Sequence, residues 1–230
     1  MATHHTFRQP RRLSTGRTRD PARGHMWRRF LQWCFERLYT DLAPGYDVVA
    51  WLASGGLWYR WVEVAAGFLA GDPVLEVGFG RGRLAVHLAR RGHTVVGVDR
   101  SPQMVMAARR LAGRAGVRVH LIQGSGEALP FPPATFGTLI TTFPAPYVLA
   151  PQTHAEFMRV LKPGGRWVWV DAPRWPGWPR RPAVLWALQS LGRLHSALEA
   201  HVPSHLATRV VTVPVEETVV EVRIWEKPRP

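Results

Sequence analysis

The sequence predicts an α/β fold: a mostly parallel seven-stranded sheet, covered by helices on both faces and finished by an antiparallel C-terminal hairpin. Three observations lead there. Between residues 73 and 171, short apolar or β-branched runs alternate with helical patterns, the order expected of parallel strands joined by crossover helices. The first run, Val74-Leu-Glu-Val77, lies between Pro73 and Gly78 and reads as a strand buried on both faces. Near the C terminus, β-branched runs at 209–213 and 218–225 stand across a short connection, as in a hairpin at the sheet edge.

Each element has a local reason. Patterned sequence begins at Trp27, where Trp27, Phe30, Leu31, Cys34, Phe35 and Leu38 recur at helical spacing with Arg28, Arg29 and Arg37 opposite. Such a basic amphipathic helix either packs on its own domain or lies on an anionic membrane surface. A second helix is predicted over 57–69, stopped by Gly71 and Pro73. The strand at 73–78 leads to a helix at 84–91, closed by Gly92, and then to a strand at 94–98. Ser101 supplies an N-cap and Pro102 a favoured first helical residue, opening a helix to about residue 114. Strands follow at 117–122, 138–142 and 166–171, with a helix at 151–161 and the turn Lys162-Pro-Gly-Gly165 before the last. The apolar segment 173–206 either roofs a site or covers the sheet. The expected division is a basic disordered arm (1–25), a helical cap (26–72) and the sheet domain (73–230).

Composition sets the outer limits. At 230 residues and 46% apolar content, the chain has material for one substantial core. One cysteine, Cys34, excludes an internal disulfide framework and a cysteine-rich zinc site, and no metal is expected. No apolar run reaches the ~18 residues that cross a bilayer, so the expected location is cytoplasmic, or peripheral at a membrane. Residues 1–23 carry six arginines and one acid, with too little apolar surface to offset ordering. This start fits a transit peptide, an uncleaved bacterial tail, or a true start at Met26.

The chemistry should lie beyond the carboxyl ends of the strands. There Glu76-Val-Gly-Phe-Gly-Arg-Gly82 runs into a helix. A dinucleotide fingerprint needs a third glycine where this chain has Arg83, and the carboxylate of Glu76 would repel a pyrophosphate. It suits a cation instead, such as a sulfonium bearing an α-ammonium group. Asp99, at the end of the second strand, is placed to accept hydrogen bonds from ribose hydroxyls. The two acids are expected side by side across adjacent strand ends.

These residues resemble the class I S-adenosylmethionine-dependent methyltransferases, in particular the type 11 domain. The likeness is carried by Val74–Gly82, by Val95-Val-Gly-Val-Asp-Arg-Ser-Pro-Gln-Met104, by Gly124-Ser-Gly-Glu-Ala-Leu-Pro-Phe131, and by Phe157-Met-Arg-Val-Leu-Lys-Pro-Gly-Gly165. It implies a Rossmann-like three-layer sandwich and S-adenosyl-L-methionine as cofactor. By resemblance, Glu76, Gly78, Phe79, Gly80 and Gly82 surround the methionine end of the cofactor. Asp99 holds the ribose, Met104 lies against the adenine, Ser125, Gly126 and Glu127 line its edge, Thr142 closes the site, and Arg100 is a further cofactor-binding residue. Ser125 and Gly137 stand where the family usually has aspartates.

The stretch 46–61, with Tyr46-Asp47 and an aromatic helix, is similar to the N-terminal cap of quinone-biosynthesis methyltransferases, which act on lipid quinone precursors. That subfamily has an Arg-Asn pair after its fourth strand, where this chain has Phe143-Pro-Ala-Pro-Tyr147. Tyr46, Trp58, Phe143 and Tyr147 are the expected acceptor-site residues; plain core packing is the other reading of the aromatic cap. Tyr147 and His154 lead the candidates for a proton acceptor, with Asp171, His195, His201 and His205 behind them. The expected function is methyl transfer to a small, apolar or lipid-like acceptor. A net charge of +14 and the arginine arm support a nucleic-acid methyltransferase as the alternative, and Ser125 a non-catalytic S-adenosylmethionine-binding protein.

Overall fold

The computed structural model describes residues 54–171, 173–174 and 208–230. The N-terminal arm, the segment 27–38 where a helix is expected, Tyr46, and residues 175–207 with His195, His201 and His205 lie outside the described residues.

Helix α1 (Trp58–Glu63) continues into a 3-10 turn, Val64–Phe68. Then β1 (Val74–Val77), α2 (Arg83–Arg90), β2 (Val95–Asp99), α3 (Pro102–Ala115) and β3 (His120–Gln123) alternate. They are followed by β4 (Phe136–Thr142), a 3-10 turn (Pro146–Leu149), α4 (Pro151–Val160) and β5 (Leu161–Val170). The hairpin β6 (Thr208–Val215) and β7 (Thr218–Glu226) ends the chain. The sheet has the order β3-β2-β1-β4-β5-β7-β6, with β1 to β5 parallel and β7 antiparallel to its neighbours. This is the expected seven-stranded α/β architecture.

Sequence chemistry accounts for these boundaries. Ser101 Oγ accepts from the Met104 N–H at 3.3 Å, and Gly116, left-handed, closes α3 by donating to the Ala112 and Gly113 carbonyls. All four residues of β1 are buried, as a central parallel strand requires, whereas β7 alternates buried and half-buried positions.

Two apolar layers sandwich the sheet. On one face Trp61, Leu84, Leu88, Val95 and Ile224 join α1 and α2 to the strands; on the other, Leu75, Phe157, Val160, Trp167 and Trp225 join α4. Trp61 donates its indole N–H to Thr218 Oγ1 at 2.9 Å, and Trp167 to Thr141 Oγ1 at 3.0 Å, so neither buried indole leaves its donor unmade.

Several expected boundaries shift: the fourth strand begins at Phe136 rather than 138, and the first hairpin strand runs to Val215 rather than 213. The helix expected over 57–69 divides at Val64 into α-helix and 3-10 turn. The third strand begins at His120 rather than 117, because Val117 donates its N–H to the Ala112 carbonyl and belongs to the helix closure. The fifth strand begins at Leu161, directly after α4, since Leu161 pairs with Phe136 and Gly164 donates to the Lys227 carbonyl across the turn sequence.

Candidate functional site

Strand order reverses at β1 and β4, which run side by side while their connections lead to opposite edges. In an open sheet of this kind the crevice beyond those carboxyl ends takes the ligand. The register pairs Glu76 with Ile140, so Gly78 and Thr142 stand level two residues further on. The glycine loop and the segment after β4 therefore meet at the switch point.

The glycine loop is held from below and from beside. Gly82 has φ +76° and is the N-cap of α2, and a Cβ there would stand 2.6 Å from Ala108 Cβ on α3. Only glycine lets the two helices close over the loop. Asp99 Oδ2 accepts from the Gly80 N–H at 2.8 Å and Oδ1 from the Ser101 N–H at 2.9 Å, tying the loop to the end of β2. Burial pushes the Asp99 carboxyl above its ordinary range, against the pull of those two N–H groups and of Arg100.

Glu76 is 1% exposed. Its carboxyl is pushed up to about 8, first by burial and then by the charge of Asp99, while the Ala85 backbone N–H acts in the other direction. Because Gly82 has no capping side chain, Glu76 in effect caps α2 from the neighbouring strand. Its Oε2 has no hydrogen-bond partner. An unpaired buried oxygen of this kind costs about 1–3 kcal/mol, which a donor on a ligand would relieve.

The two acids are staggered rather than level. Glu76 pairs with Gly97, which puts Asp99 two residues nearer the carboxyl edge on the same face of the sheet. A ligand along this face meets Glu76 deep and Asp99 shallow.

The remaining expected residues fall around this crevice or in the packing beneath it. Phe79 and Met104 are buried, Phe79 in a small cluster with Val105, Ala108 and Leu121. Arg100 is exposed and its carbonyl accepts from Gln123 Nε2. Ser125 Oγ donates to Glu127 Oε2 and accepts from the Glu127 N–H, both at 3.2 Å, shaping the turn that contains the buried Gly126. Thr142 is half-buried at the end of β4.

After β4 the chain departs from ordinary backbone. Phe143 has φ +45°, a left-handed conformation rare outside glycine, and donates its N–H to the Val170 carbonyl at 2.9 Å. Its ring lies 4.8 Å from that of Trp58, joining two of the expected acceptor-site residues. Tyr147 is wedged between the two loops: a Cβ on Gly78 would meet its hydroxyl at 3.3 Å, and one on Gly126 would meet its Cε2 at 2.8 Å. His154 sits in the first turn of α4, buried, with its ring edge-on to Trp167 at 5.0 Å. Asp171 faces Arg223 at 4.0 Å.

One brace escaped the sequence reading. Glu156 and Arg159 on α4 form an ion pair that clamps the segment after the Ser125 turn. Glu156 accepts from the Leu129 N–H, and Arg159 donates to the Phe131 and Leu129 carbonyls at 2.7 and 3.0 Å. The Arg159 hydrogen bond holds the Glu156 carboxyl below its usual range. The i, i+3 spacing of the two was the available signal.

A deep carboxylate with an unpaired oxygen, a second acid at the strand edge and a glycine loop open at Gly80 fit a cationic ligand carrying a ribose. The sheet order β3-β2-β1-β4-β5-β7-β6 with an antiparallel β7 is that of the class I S-adenosylmethionine-dependent methyltransferase fold. Residues 74–165 match the family described as "Methyltransferase domain". Within that class the chain is similar to demethylmenaquinone methyltransferase of Thermus thermophilus, 35% identical over 145 residues, which are 59% of this chain and 64% of the relative. It is also similar to the ubiquinone/menaquinone biosynthesis C-methyltransferase UbiE of Geobacter sulfurreducens, 38% identical over 144 residues, 58% of this chain and 56% of the relative. The match thus spans about three-fifths of these curated relatives. Among solved structures, geranyl diphosphate C-methyltransferase from Streptomyces coelicolor A3(2) shares the fold with a TM-score of 0.56 at 19% identity, over 74% of this chain and 78% of that one. Among the described residues no helix is long and apolar enough to cross a membrane.

Proposed function

We propose that the chain transfers a methyl group from S-adenosylmethionine to a small apolar acceptor of the quinone-precursor type. S-adenosylmethionine, when bound, supplies a methyl carbon made electrophilic by its sulfonium. Glu76 would hold the α-ammonium through its unpaired Oε2, and Asp99 the ribose hydroxyls through the lone pairs left beside its two N–H bonds. The Ser125–Glu127 turn, braced by Glu156 and Arg159, would flank the adenine.

The observation that carries the acceptor class is the aromatic pair Trp58–Phe143 at the switch point. Phe143 holds a strained backbone of the kind that persists where surrounding structure over-determines it, commonly at ligand sites. An apolar acceptor packed on that ring would be desolvated and aligned, and much of the rate of a displacement comes from such positioning. Tyr147, between the glycine loop and Gly126, is the polar residue best placed to orient it. The similarity to enzymes named for demethylmenaquinone supports the same class.

The test is to incubate the full chain with labelled methyl donor and a prenylated naphthoquinol, with a total RNA preparation in parallel. Label in the quinol alone is expected. Phe143→Ala should then raise the KM for the quinol without altering the cofactor Kd. Label in RNA alone would refute the reading.

A further inference from the structure

Half of the basic side chains among the described residues, nine of eighteen, fall in the segment that carries α2 and α3, and almost no acid accompanies them. From residue 81 to 118, spanning α2, α3 and the turn after α3, there are nine arginines and a single acid, the buried Asp99. The other described residues carry nine basic and ten acidic side chains, so a general preference for arginine does not explain the asymmetry. Off this layer several arginines are paired with carboxylates, as in Arg166–Glu226, Arg174–Glu221 and Arg60–Glu216. On it, Arg90, Arg110, Arg114 and Arg118 are exposed, and among the described residues none has a carboxylate partner.

The layer also exposes apolar surface among those charges. Met106, 50% exposed, lies in one row of α3 with Arg110 and Arg114, at i, i+4 and i+8. Beside that row a groove of about 490 Å3 runs between α1, α2 and α3. Val86, Leu111 and Ala115 line it together with Arg90, Arg91 and Arg114.

We infer that the outer surface of α2 and α3 docks on an anionic phospholipid bilayer. Guanidinium groups alone would serve any polyanion. An apolar row and groove set among them match the headgroup–acyl boundary, where stems and methionine enter and guanidiniums stay with the phosphates. A hydrated nucleic-acid backbone offers those apolar groups nothing. The inference stands apart from the identity of the methyl acceptor.

Flotation of the full chain with vesicles of phosphatidylcholine, with and without phosphatidylglycerol, tests it. Each basic residue near an anionic surface changes partitioning by roughly fivefold. Arg110→Gln combined with Arg114→Gln should therefore weaken binding to phosphatidylglycerol vesicles by about 25-fold, and raised salt should weaken it further. Arg209→Gln with Arg229→Gln removes the same charge from the other end of the chain and should leave binding nearly intact. The arginine arm is present in both variants, so it cancels. Calorimetric cofactor binding by each variant shows that it is folded. Equal flotation of the two double variants overturns the inference, as does equal binding to neutral vesicles. Retention of the wild type by RNA but by neither vesicle would assign the face to nucleic acid. Because flotation needs neither donor nor acceptor, its failure is distinct from a failure of methyl transfer.

Discussion

Replacing Glu76 by glutamine separates the charge of this side chain from its role in capping α2, since an amide oxygen still accepts from the Ala85 N–H. In the ligand-free protein the carboxyl titrates at about 8, against 4.5 for an ordinary glutamate, because burial and then Asp99 oppose its ionisation. An acid whose pKa rises on folding takes up a proton on folding, so its contribution to stability declines as pH climbs from 4.5 toward 8. At 1.36 kcal/mol per decade, the decline between those limits is about 5 kcal/mol. Glu76→Gln has no such proton, and its ligand-free stability should lack this decline. Cofactor binding runs the opposite way. A ligand ammonium selects the ionised carboxylate, so affinity for the wild type should strengthen about tenfold per pH unit below 8 and level off above it. The assays are chemical denaturation at pH 5 to 8 and titration calorimetry in two buffers of different ionisation enthalpy, which reads the released proton. A wild type whose stability holds flat across that range would refute the reasoning. So would a Glu76→Gln variant that binds the cofactor like the wild type at pH 8.

Three further outcomes follow from the geometry. Asp99→Ala should weaken cofactor binding by about 1.5–3 kcal/mol, the scale of hydrogen bonds to a charged group, and calorimetry reads it directly. Gly82→Ala should destabilise the fold by roughly 2–4 kcal/mol, combining overpacking with a left-handed penalty; an unchanged denaturation midpoint would mean that α2 and α3 do not close at Ala108. Arg159→Met strands the Leu129 and Phe131 carbonyls and the Glu156 carboxylate, so about 1–3 kcal/mol of stability should go, with cofactor affinity falling as the Ser125 turn loosens.

What the sequence revealed of the fold was what local chemistry decides. Ser101-Pro102 and Gly116 mark the ends of α3 because capping is an affair of adjacent residues, and Val74–Val77 reads as central because burial on both faces leaves a continuous apolar run apart from Glu76. One misplaced boundary, the start of β5, is set by distant partners. Lys162-Pro-Gly-Gly165 has the composition of a turn, yet it continues β5 because Phe136, Gly137 and Lys227 approach it from elsewhere in the chain. Gly137 shows the same limit. Its lack of a side chain looked like the loss of an acid, but a Cβ there would stand 2.5 Å from the Gly71 carbonyl oxygen. The glycine answers to a crossing segment 66 residues away, for which no local pattern exists.

The site divides along the same line. Glu76 and Asp99 were legible because an acid at a strand end beside a glycine loop is chemically conspicuous. Their stagger was not, since register belongs to a pair of strands and not to either one. Yet the stagger gives the two acids different work. Asp99, nearer the edge, accepts from the Gly80 and Ser101 N–H groups and would keep lone pairs for the hydroxyls of the proposed cofactor. Glu76, deeper and nearly sealed from water, can ionise readily only when a cation comes to it. Two carboxylates level at the surface would each bind a cation weakly and at any neutral pH. Placing one of them two residues down the strand would make cation binding release a proton, which a pair of level, solvated acids would not do.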